Sequence, residues 1–169
     1  MQTMLHLLLT IAFTGSAGWA VYTDFKYRRI SNRLTFGVAV SAIVVRLALG
    51  GPQAGLAGLE GWALGAGLLI IPFALGWMGA GDVKLLAGFG ALGGPQFVLQ
   101  AAVLGSLVGG VIALFYLARE KKLWQTFVFL PLYVRHPMGS VLETKRRMPF
   151  GPALALGGAA AMALTRTML

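Results

Sequence analysis

The chain has 169 residues, of which 57% are hydrophobic and only 11% are charged, and its mean hydropathy is +0.78. A soluble domain carries about 25% charged residues, so this composition predicts an integral membrane protein. The net charge of +9 comes from basic residues grouped between apolar segments. That pattern is typical of membrane orientation and argues against nucleic-acid binding. The absence of cysteine excludes disulfides, thiolate catalysis and cysteine-bound zinc.

Six apolar segments, taken in chain order, predict six transmembrane helices and an all-α polytopic fold. The first has no basic residue before it, so we interpret it as a retained helix and not as a removed signal peptide. Pro72 is expected to kink or break the third helix. The fourth is short, and at about 1.5 Å per residue it covers half of a hydrocarbon core roughly 30 Å thick. The segments are Leu5–Tyr22, Leu34–Leu49, Leu56–Trp77, Asp82–Leu92, Phe97–Ala118 and Pro149–Leu164.

Two uncharged turns with the same four letters separate the second segment from the third and the fourth from the fifth. They read Gly50-Gly51-Pro52-Gln53 and Gly93-Gly94-Pro95-Gln96. This match is typical of paired helical hairpins, although four residues are too few to establish an internal duplication. Arg46 and Glu60 flank the first turn at similar predicted depth. We therefore expect them to form an ion pair.

The basic residues of the loops predict how the chain is oriented in the membrane. Loops 23–33 and 119–147 contain most of the lysine and arginine, and six crossings put both loops on the same side as Gly79–Lys84. The positive-inside rule makes that side cytoplasmic, with both termini outside. Leu123–Val134, within the second loop, is apolar but too short to span, and it predicts an interfacial segment.

Asp24 and Asp82 are the only aspartates of the chain, and each lies where an apolar segment meets a polar break. An acid in a membrane costs several kcal/mol unless it is paired, solvated or used in chemistry. Asp24 alone is typical of a solvated acid at a helix end, and Asp82 alone of a helix N-cap. Gly79 and Gly81 leave the backbone before Asp82 free to bend toward a partner. Two acids that meet on one side of a membrane are the minimum requirement of an aspartyl protease.

Other protease chemistries find little support in the sequence. His6 and His136 are far apart and form no His-x-x-x-His pattern, so a zinc protease site has no ligands. Gly15-Ser16-Ala17-Gly18 superficially resembles an intramembrane serine-protease motif, but no membrane histidine is placed to serve it. Close packing of helices through small residues explains this stretch better.

The residues around both aspartates resemble those of a known family. Asp24 is followed by Ile30-Ser31-Asn32-Arg33-Leu34-Thr35, and Asp82 lies within Gly79-Ala80-Gly81-Asp82-Val83-Lys84-Leu85. These stretches resemble the motifs of the type IV prepilin peptidases, membrane aspartyl proteases of the Gly-x-Gly-Asp class. Many relatives have proline where this chain has Ser31. The resemblance covers most of the chain, including Met148-Pro149-Phe150-Gly151-Pro152 before the last helix.

The resemblance implies an endopeptidase that removes a short basic leader from pilin-like precursors. Cleavage would follow a glycine just ahead of the precursor's hydrophobic helix, at the cytoplasmic face of the bacterial inner membrane. No metal or cofactor is implied. Taken alone, Lys84 is typical of an interfacial anchor and Asn32 of a helix cap. The implied catalytic residues are Asp24 and Asp82, and the implied supporting residues are Gly79, Gly81, Lys84 and Asn32.

The expected domain organisation is a single membrane-embedded peptidase domain over residues 1–169. Larger relatives also methylate the new N-terminus and carry a four-cysteine zinc domain. This chain lacks the cysteines, so we expect neither a methyltransferase nor a zinc domain. It resembles the short stand-alone branch associated with Flp-type (tight-adherence) pili, and archaeal preflagellin peptidases share the same plan. The expected partners are a pilin-like precursor and membrane lipid, with the oligomeric state left open.

The expected mechanism follows from two neighbouring carboxyl groups that share one proton. The ionised group deprotonates a water, and the protonated group polarises the scissile carbonyl. The sequence does not assign these two roles between Asp24 and Asp82. The competing interpretation is a non-catalytic membrane assembly or transport subunit in which both acids only cap helices.

Overall fold

The computed structural model describes residues 2–27, 32–75, 78–119 and 151–167. Within these ranges the chain is helical and contains no strand, which confirms the all-α prediction. The helices are α1 (Gln2–Tyr27), α2 (Asn32–Ala74), α3 (Ala80–Arg119) and α4 (Gly151–Thr167). The predicted interfacial segment Leu123–Val134 and nearly all of the predicted basic loop 119–147 lie outside the described residues.

Three of the described helices are long and apolar enough to cross a membrane. Their apolar stretches are Thr3–Asp24, Thr35–Ala74 and Ala80–Phe115, with 22, 40 and 36 residues, and Gly151–Leu164 is a shorter apolar helix. A straight helix of 40 residues would be about 60 Å long, twice the thickness of the hydrocarbon core. A non-helical glycine interrupts each of the two longest stretches somewhat before its middle.

Helix α2 reverses direction at Gly51. This residue has φ 78° and ψ −177°, a left-handed conformation that glycine adopts readily, and Pro52 then opens the second arm. A Cβ atom built on Gly58 would lie 2.9 Å from Cδ of Arg46 and 3.6 Å from Cγ1 of Ile43. On a straight helix Arg46 and Gly58 would be about 18 Å apart. The two arms of α2 therefore pack against each other as a helical hairpin.

Helix α3 contains the same turn at the same place in the repeated four letters. Gly94 has φ 84° and ψ −177°, and Pro95 follows it. Because one residue's dihedrals fix how two helical arms are joined, α3 turns in the same way as α2. The two predicted turns are thus confirmed by their backbone conformation.

Pro72 does not break the second arm of α2, which leaves a kink as the effect that its position predicts. Gly51 is the non-helical residue inside α2, and the helix continues through Pro72 to Ala74. Beyond it, the Leu75 N–H still donates to the Ile71 carbonyl at 3.0 Å. A proline costs a helix the hydrogen bond of its missing N–H. Here the missing bond is the one to the Leu68 carbonyl, and the helix continues past it to Ala74.

The first arm of α3 forms the centre of the fold. All eight residues of Leu85–Leu92 are buried, as expected for a helix that neighbours enclose on every side. The second arm of α2 approaches this arm so closely that a Cβ on Gly61 or Gly90 would overlap the other residue's carbonyl oxygen. The arm is short because protein, and not lipid, surrounds it, so its length need not match the bilayer.

Helix α1 packs less extensively against the other helices than α2 and α4 each pack against α3. Its buried residues form one stripe along the helix, and Phe13 is the largest of them. The Phe13 ring lies with its centroid 4.8 Å from that of Phe89 and 5.5 Å from that of Phe97. The opposite face exposes large apolar side chains such as Leu7 and Ile11, which suits contact with lipid.

Arg46 does not form the predicted ion pair with Glu60. Its Nε and Nη2 atoms donate to the Leu92 carbonyl at 3.2 and 2.7 Å, and Nη1 donates to the Ala54 carbonyl at 3.5 Å. Glu60 is exposed. The Leu92 carbonyl lies at the end of a helical arm, where it lacks an intrahelical donor. The guanidinium therefore joins the turn ends of the two hairpins through backbone acceptors.

Candidate active site

Asp82 lies in the first turn of α3 and is held there by Gly79. The Gly79 N–H donates to Oδ2 of Asp82 at 3.2 Å, and the Asp82 N–H donates to the Gly79 carbonyl at 3.1 Å. Since α3 begins at Ala80, Gly79 is the N-cap residue and Asp82 is the third helical residue. This is the return half of a capping box, in which an acid satisfies the N-cap amide. The carboxyl group of Asp82 is thereby fixed at the helix start.

Asp24 lies in the last turn of α1, which ends at Tyr27. The residue is half-buried, and its Oδ2 atom is hidden from solvent. The charges of the Asp24 and Asp82 carboxyl groups are close enough to interact. The end of α1 and the start of α3 therefore place the two acids that the sequence singled out within electrostatic range of each other.

The glycines before Asp82 do not act through an unusual backbone conformation. Among the described residues, the glycines with positive φ are Gly51 and Gly94, so Gly79 is not one of them. A Cβ atom on Gly79 would lie 3.5 Å from Oδ2 of Asp82, which is an ordinary contact. The conformational freedom expected of glycine is therefore not used at Gly79. The observed role of Gly79 is to donate a hydrogen bond from its amide to Asp82. Gly81 is a residue of the first turn of α3.

Lys84 faces the beginning of α2. Its Nζ atom lies 5.7 Å from the centroid of the Phe36 ring, within the range of a cation–π interaction. Asn32 is the first residue of α2, and its side chain is outside the part that the structure describes. Of the four predicted supporting residues, Gly79 is the one with an observed hydrogen bond to Asp82.

A cleft opens beside Asp82 between α3 and the two arms of α2. It contains about 280 Å³ of empty space, part of it open to the surroundings. Phe36, Trp62, Ala66, Val83 and Lys84 are among its lining residues. Trp62 and Ala66 could not be predicted from the sequence, because both lie inside an apolar segment and belong to no motif. Their association depends on the packing of three separate helical arms.

A second, smaller cavity of about 190 Å³ lies between α1, α2 and α3. Ser16 and Thr35 are among its lining residues, and Thr35 also lines the cleft beside Asp82. Ser16 is buried, and its Oγ atom donates to the Phe13 carbonyl at 3.0 Å within the same helix. This agrees with the interpretation of Ser16 as a helix-packing residue.

An exposed aromatic and basic cluster marks the Asp24 end of α1. The Lys26 Nζ atom donates to the Tyr22 hydroxyl at 3.0 Å and lies 5.4 and 5.3 Å from the ring centroids of Tyr22 and Tyr27. The hydrogen bonds with these tyrosines raise the pKa of Lys26 above its ordinary value. Trp19 stacks near Tyr22, with 5.9 Å between ring centroids. Such residues are typical of the membrane–water interface.

The family comparison matches the part of the chain that contains both acids and both repeated turns. The model of the type IV leader peptidase family covers residues 11–114. The chain belongs to the type IV leader peptidase family. This confirms the resemblance that the two aspartate motifs carried. No curated protein and no solved structure matches the chain.

Membership identifies the chain, at the level of the family, as a leader-peptidase-like protease whose substrates are prepilin-like. The long apolar helices agree with a membrane protein. The match includes α1 from Ile11 onward, all of α2, and α3 as far as Leu114. It therefore spans every element that contributes to the cleft and to the acid pair.

Proposed function

We propose that this leader peptidase is an aspartyl endopeptidase in which Asp24 and Asp82 form the catalytic pair. The observation that carries the proposal is that the family match covers both acids, which lie within electrostatic range of each other. These are the only aspartates of the chain. They come from helix ends far apart in sequence, and chance alone rarely brings two acids together in so apolar a protein.

The pair would act as a general acid and a general base. Two neighbouring carboxyl groups share one proton. The ionised group takes a proton from a water, whose oxygen forms a bond to the scissile carbonyl carbon, while the protonated group gives its proton to the carbonyl oxygen. When the tetrahedral intermediate collapses, the C–N bond breaks and the leaving amine takes up a proton. The Gly79 amide keeps Asp82 in position for these steps.

The proposed topology has six membrane crossings, one for each helical arm. The arms are α1, the two arms of α2, the two arms of α3, and α4. The reversals at Gly51 and Gly94 support this count. The end of α1 and the start of α3 then share one side, and the basic loops make it cytoplasmic, with both termini outside. The aromatic cluster around Tyr22 supports an interfacial position for Asp24.

The proposed substrate is a pilin-like precursor of the bacterial inner membrane, from which a short basic leader is removed at the cytoplasmic face. Residues 1–169 form one membrane-embedded peptidase domain, which resembles the Flp-type branch. Gly81, Lys84 and Asn32 support the pair as motif residues. The contact of Lys84 with Phe36 indicates that it acts by anchoring the start of α3 against α2.

The decisive experiment measures leader removal by purified protein in proteoliposomes. Asp24→Asn and Asp82→Asn should each lower the cleavage rate by about 10²–10⁴-fold, the usual contribution of a general acid or base. Glu60→Gln removes an exposed acid and should leave the rate unchanged. A metal chelator should also have no effect. Substantial cleavage by either asparagine variant, inserted normally in the membrane, would exclude the aspartyl mechanism and favour a non-catalytic role for the two acids.

A further inference from the structure

Glu60 is an ionisable residue inside the longest apolar stretch of the chain. Arg46 and Glu60 are the only charged residues of this stretch, Thr35–Ala74. Arg46 is half-buried and donates to backbone carbonyl groups. Glu60 is exposed, and it forms no hydrogen bond or ion pair with any residue that the structure describes. Within the described part of the chain, one charge of the stretch is therefore satisfied and the other is not.

The packing of α2 against α3 gives the depth of Glu60 in the bundle. The neighbouring Gly61 faces Gly90, eight residues beyond Asp82. Helices rise by about 1.5 Å per residue, which places Glu60 about 12 Å from the level of Asp82 and about 14 Å from the turn at Gly51. In the proposed topology these levels are the two faces of a hydrocarbon core roughly 30 Å thick. Glu60 therefore lies near the middle of the bilayer with its side chain toward the lipid.

An exposed carboxyl group at this depth needs a polar partner. Lipid tails offer no hydrogen bonds, so ionisable residues within a membrane face one another, a backbone group or a water-filled cavity. Neither of the two cavities described above is lined by Glu60. Its side chain is also too short to reach either interface from the middle of the bilayer. The partner is therefore another polypeptide that presents a polar group at the same depth.

A second copy of this chain presents such a group. Copies insert in the same orientation, because the basic loops of each copy determine that orientation. A two-fold axis along the membrane normal then brings the same residue of both copies together at the same depth. Two Glu60 carboxyl groups that meet in this way can hydrogen-bond through a shared proton. Hydrogen bonds between polar side chains of facing helices are a common source of association in membranes.

The surface around Glu60 permits two helices to approach closely. Leu56 and Ala63 lie about one turn before and after Glu60, and both are exposed. Residues with spacings of four and three share one face of a helix. The small side chain of Ala63 lets two backbones come near enough for the glutamates to meet, and Leu56 adds apolar contact.

We propose that the face of α2 formed by Leu56, Glu60 and Ala63 is a dimer interface between two copies of this protein. The two Glu60 carboxyl groups hydrogen-bond to each other near the middle of the bilayer. Each copy keeps its own acid pair and cleft, since Asp82 lies at a level about 12 Å away. The interface rests on the proposed six-crossing topology but not on the catalytic roles of the aspartates, so it can be tested without measuring cleavage.

The first test measures dimerisation in the membrane. Copies that carry a fluorescent tag are captured from proteoliposomes at a series of protein-to-lipid ratios, and their photobleaching steps are counted. Glu60→Leu should weaken dimerisation by about tenfold, the order of a polar contact between membrane helices. Glu60→Gln is the matched control, because an amide also hydrogen-bonds across a helix pair, and it should stay within about threefold of wild type. Wild-type protein that is monomeric at every ratio, or Glu60→Leu protein that dimerises as well as wild type, would overturn the proposal.

The second test locates the interface by cross-linking. The chain contains no cysteine, so a single introduced cysteine reports on one position. Ala63→Cys keeps Glu60 and should form a disulfide between two copies when proteoliposomes are treated with a membrane-permeant oxidant. Val103→Cys is the matched control, because Val103 is 61% exposed on a different arm, nine residues beyond its own turn. It should remain uncross-linked.

The remaining outcomes decide between the dimer and other partners. Loss of the Ala63→Cys cross-link when Glu60→Leu is added supports the glutamate pair. Equal cross-linking of Ala63→Cys and Val103→Cys would mean random collision and would exclude a specific interface. A precursor with one cysteine in its hydrophobic segment that captures Ala63→Cys in place of the second copy would make this face a substrate surface. Reaction of Glu60→Cys with a membrane-impermeant maleimide would place residue 60 in water and remove the need for a partner.

Discussion

The helices that carry the two acids are held in the fold in different ways. Helix α3 meets the second arm of α2 backbone to backbone, with Gly61 and Gly90 in direct opposition. Helix α1 has fewer contacts, and those with α3 include the Phe13 ring against Phe89 and Phe97. Backbone contacts between glycines tolerate no displacement, whereas side-chain contacts can adjust through rotamers.

This difference gives the acid pair one rigid member and one adaptable member. Asp82 belongs to the enclosed arm and is hydrogen-bonded to Gly79. Asp24 belongs to a helix whose position depends on one stripe of side chains. A site built in this way can keep its geometry at α3 while α1 adjusts to a bound chain. Substitutions can disturb α3 and α1 separately, and the largest effect is expected in α3.

The largest effect is expected at the glycine contact. Gly90→Ala places a methyl group on the Gly61 carbonyl oxygen, which only a separation of the two arms can relieve. We expect a loss of about 3 kcal/mol or more in the free energy of unfolding, the upper range for overpacking. Thermal unfolding in detergent micelles, followed by circular dichroism, measures this loss. Gly67→Ala is the matched control, because Gly67 lies on the facing arm of α2, together with Gly61, and has no neighbouring atom within 4 Å. Equal stability of both variants would contradict the rigid interface.

In α1, the adaptable helix, Phe13→Ala removes a ring that packs against Phe89 and Phe97 of α3. Lipid is as apolar as the protein interior, so the cost is mainly that of the cavity, about 2 kcal/mol. Leader cleavage should fall as well, because α1 carries Asp24. Ile11→Ala truncates a side chain that is 59% exposed and should change neither stability nor cleavage. If Phe13→Ala cleaves the precursor like wild type, the position of α1 does not depend on this contact.

Substitution of Arg46 tests the turn ends of the two hairpins, which lie opposite the ends that carry the acids. Arg46→Met should cost about 1.5 kcal/mol, since the Leu92 and Ala54 carbonyls lose their charged donor. Glu60→Gln should cost nothing measurable, because Glu60 is exposed and Arg46 bonds to carbonyl groups. Unfolding measurements on both single variants and on the double variant show whether Arg46 and Glu60 are coupled. Significant coupling between the two positions would restore the ion pair that the sequence predicted.

Local signals in the sequence were sufficient to predict the two helical turns. The turns at Gly51 and Gly94 follow from a glycine that adopts positive φ and a proline that opens the next arm. The two aspartate motifs predicted the family, which the family match confirms. The wrong expectation of an Arg46–Glu60 pair shows the limit, since sequence predicts depth in the membrane but not the direction in which a side chain points. The cleft lined by Trp62 and Ala66 needed the packing of three arms, which no local pattern encodes.

The smallest effect concerns the hydrogen bond that holds Asp82. Asp82→Asn keeps an oxygen that can accept from the Gly79 N–H, whereas Asp82→Ala leaves that amide without the acceptor it has in the wild type. We expect both variants to be inactive and the alanine variant to be less stable by about 1 kcal/mol, the usual contribution of a capping interaction. Unfolding of the two purified variants in the same detergent provides the measurement.

The difference in stability between Asp82→Ala and Asp82→Asn isolates the capping hydrogen bond, because both changes remove the ionisable carboxyl group of Asp82. Loss of the electrostatic repulsion from Asp24 is common to the two variants and cancels in the comparison. Glu60→Gln serves as the control, since it replaces an exposed acid that takes no part in the cap; its stability should remain near that of wild type. Equal stability of Asp82→Ala and Asp82→Asn would mean that the packing of α3 alone positions this acid, and that its rigidity owes nothing to the Gly79 hydrogen bond.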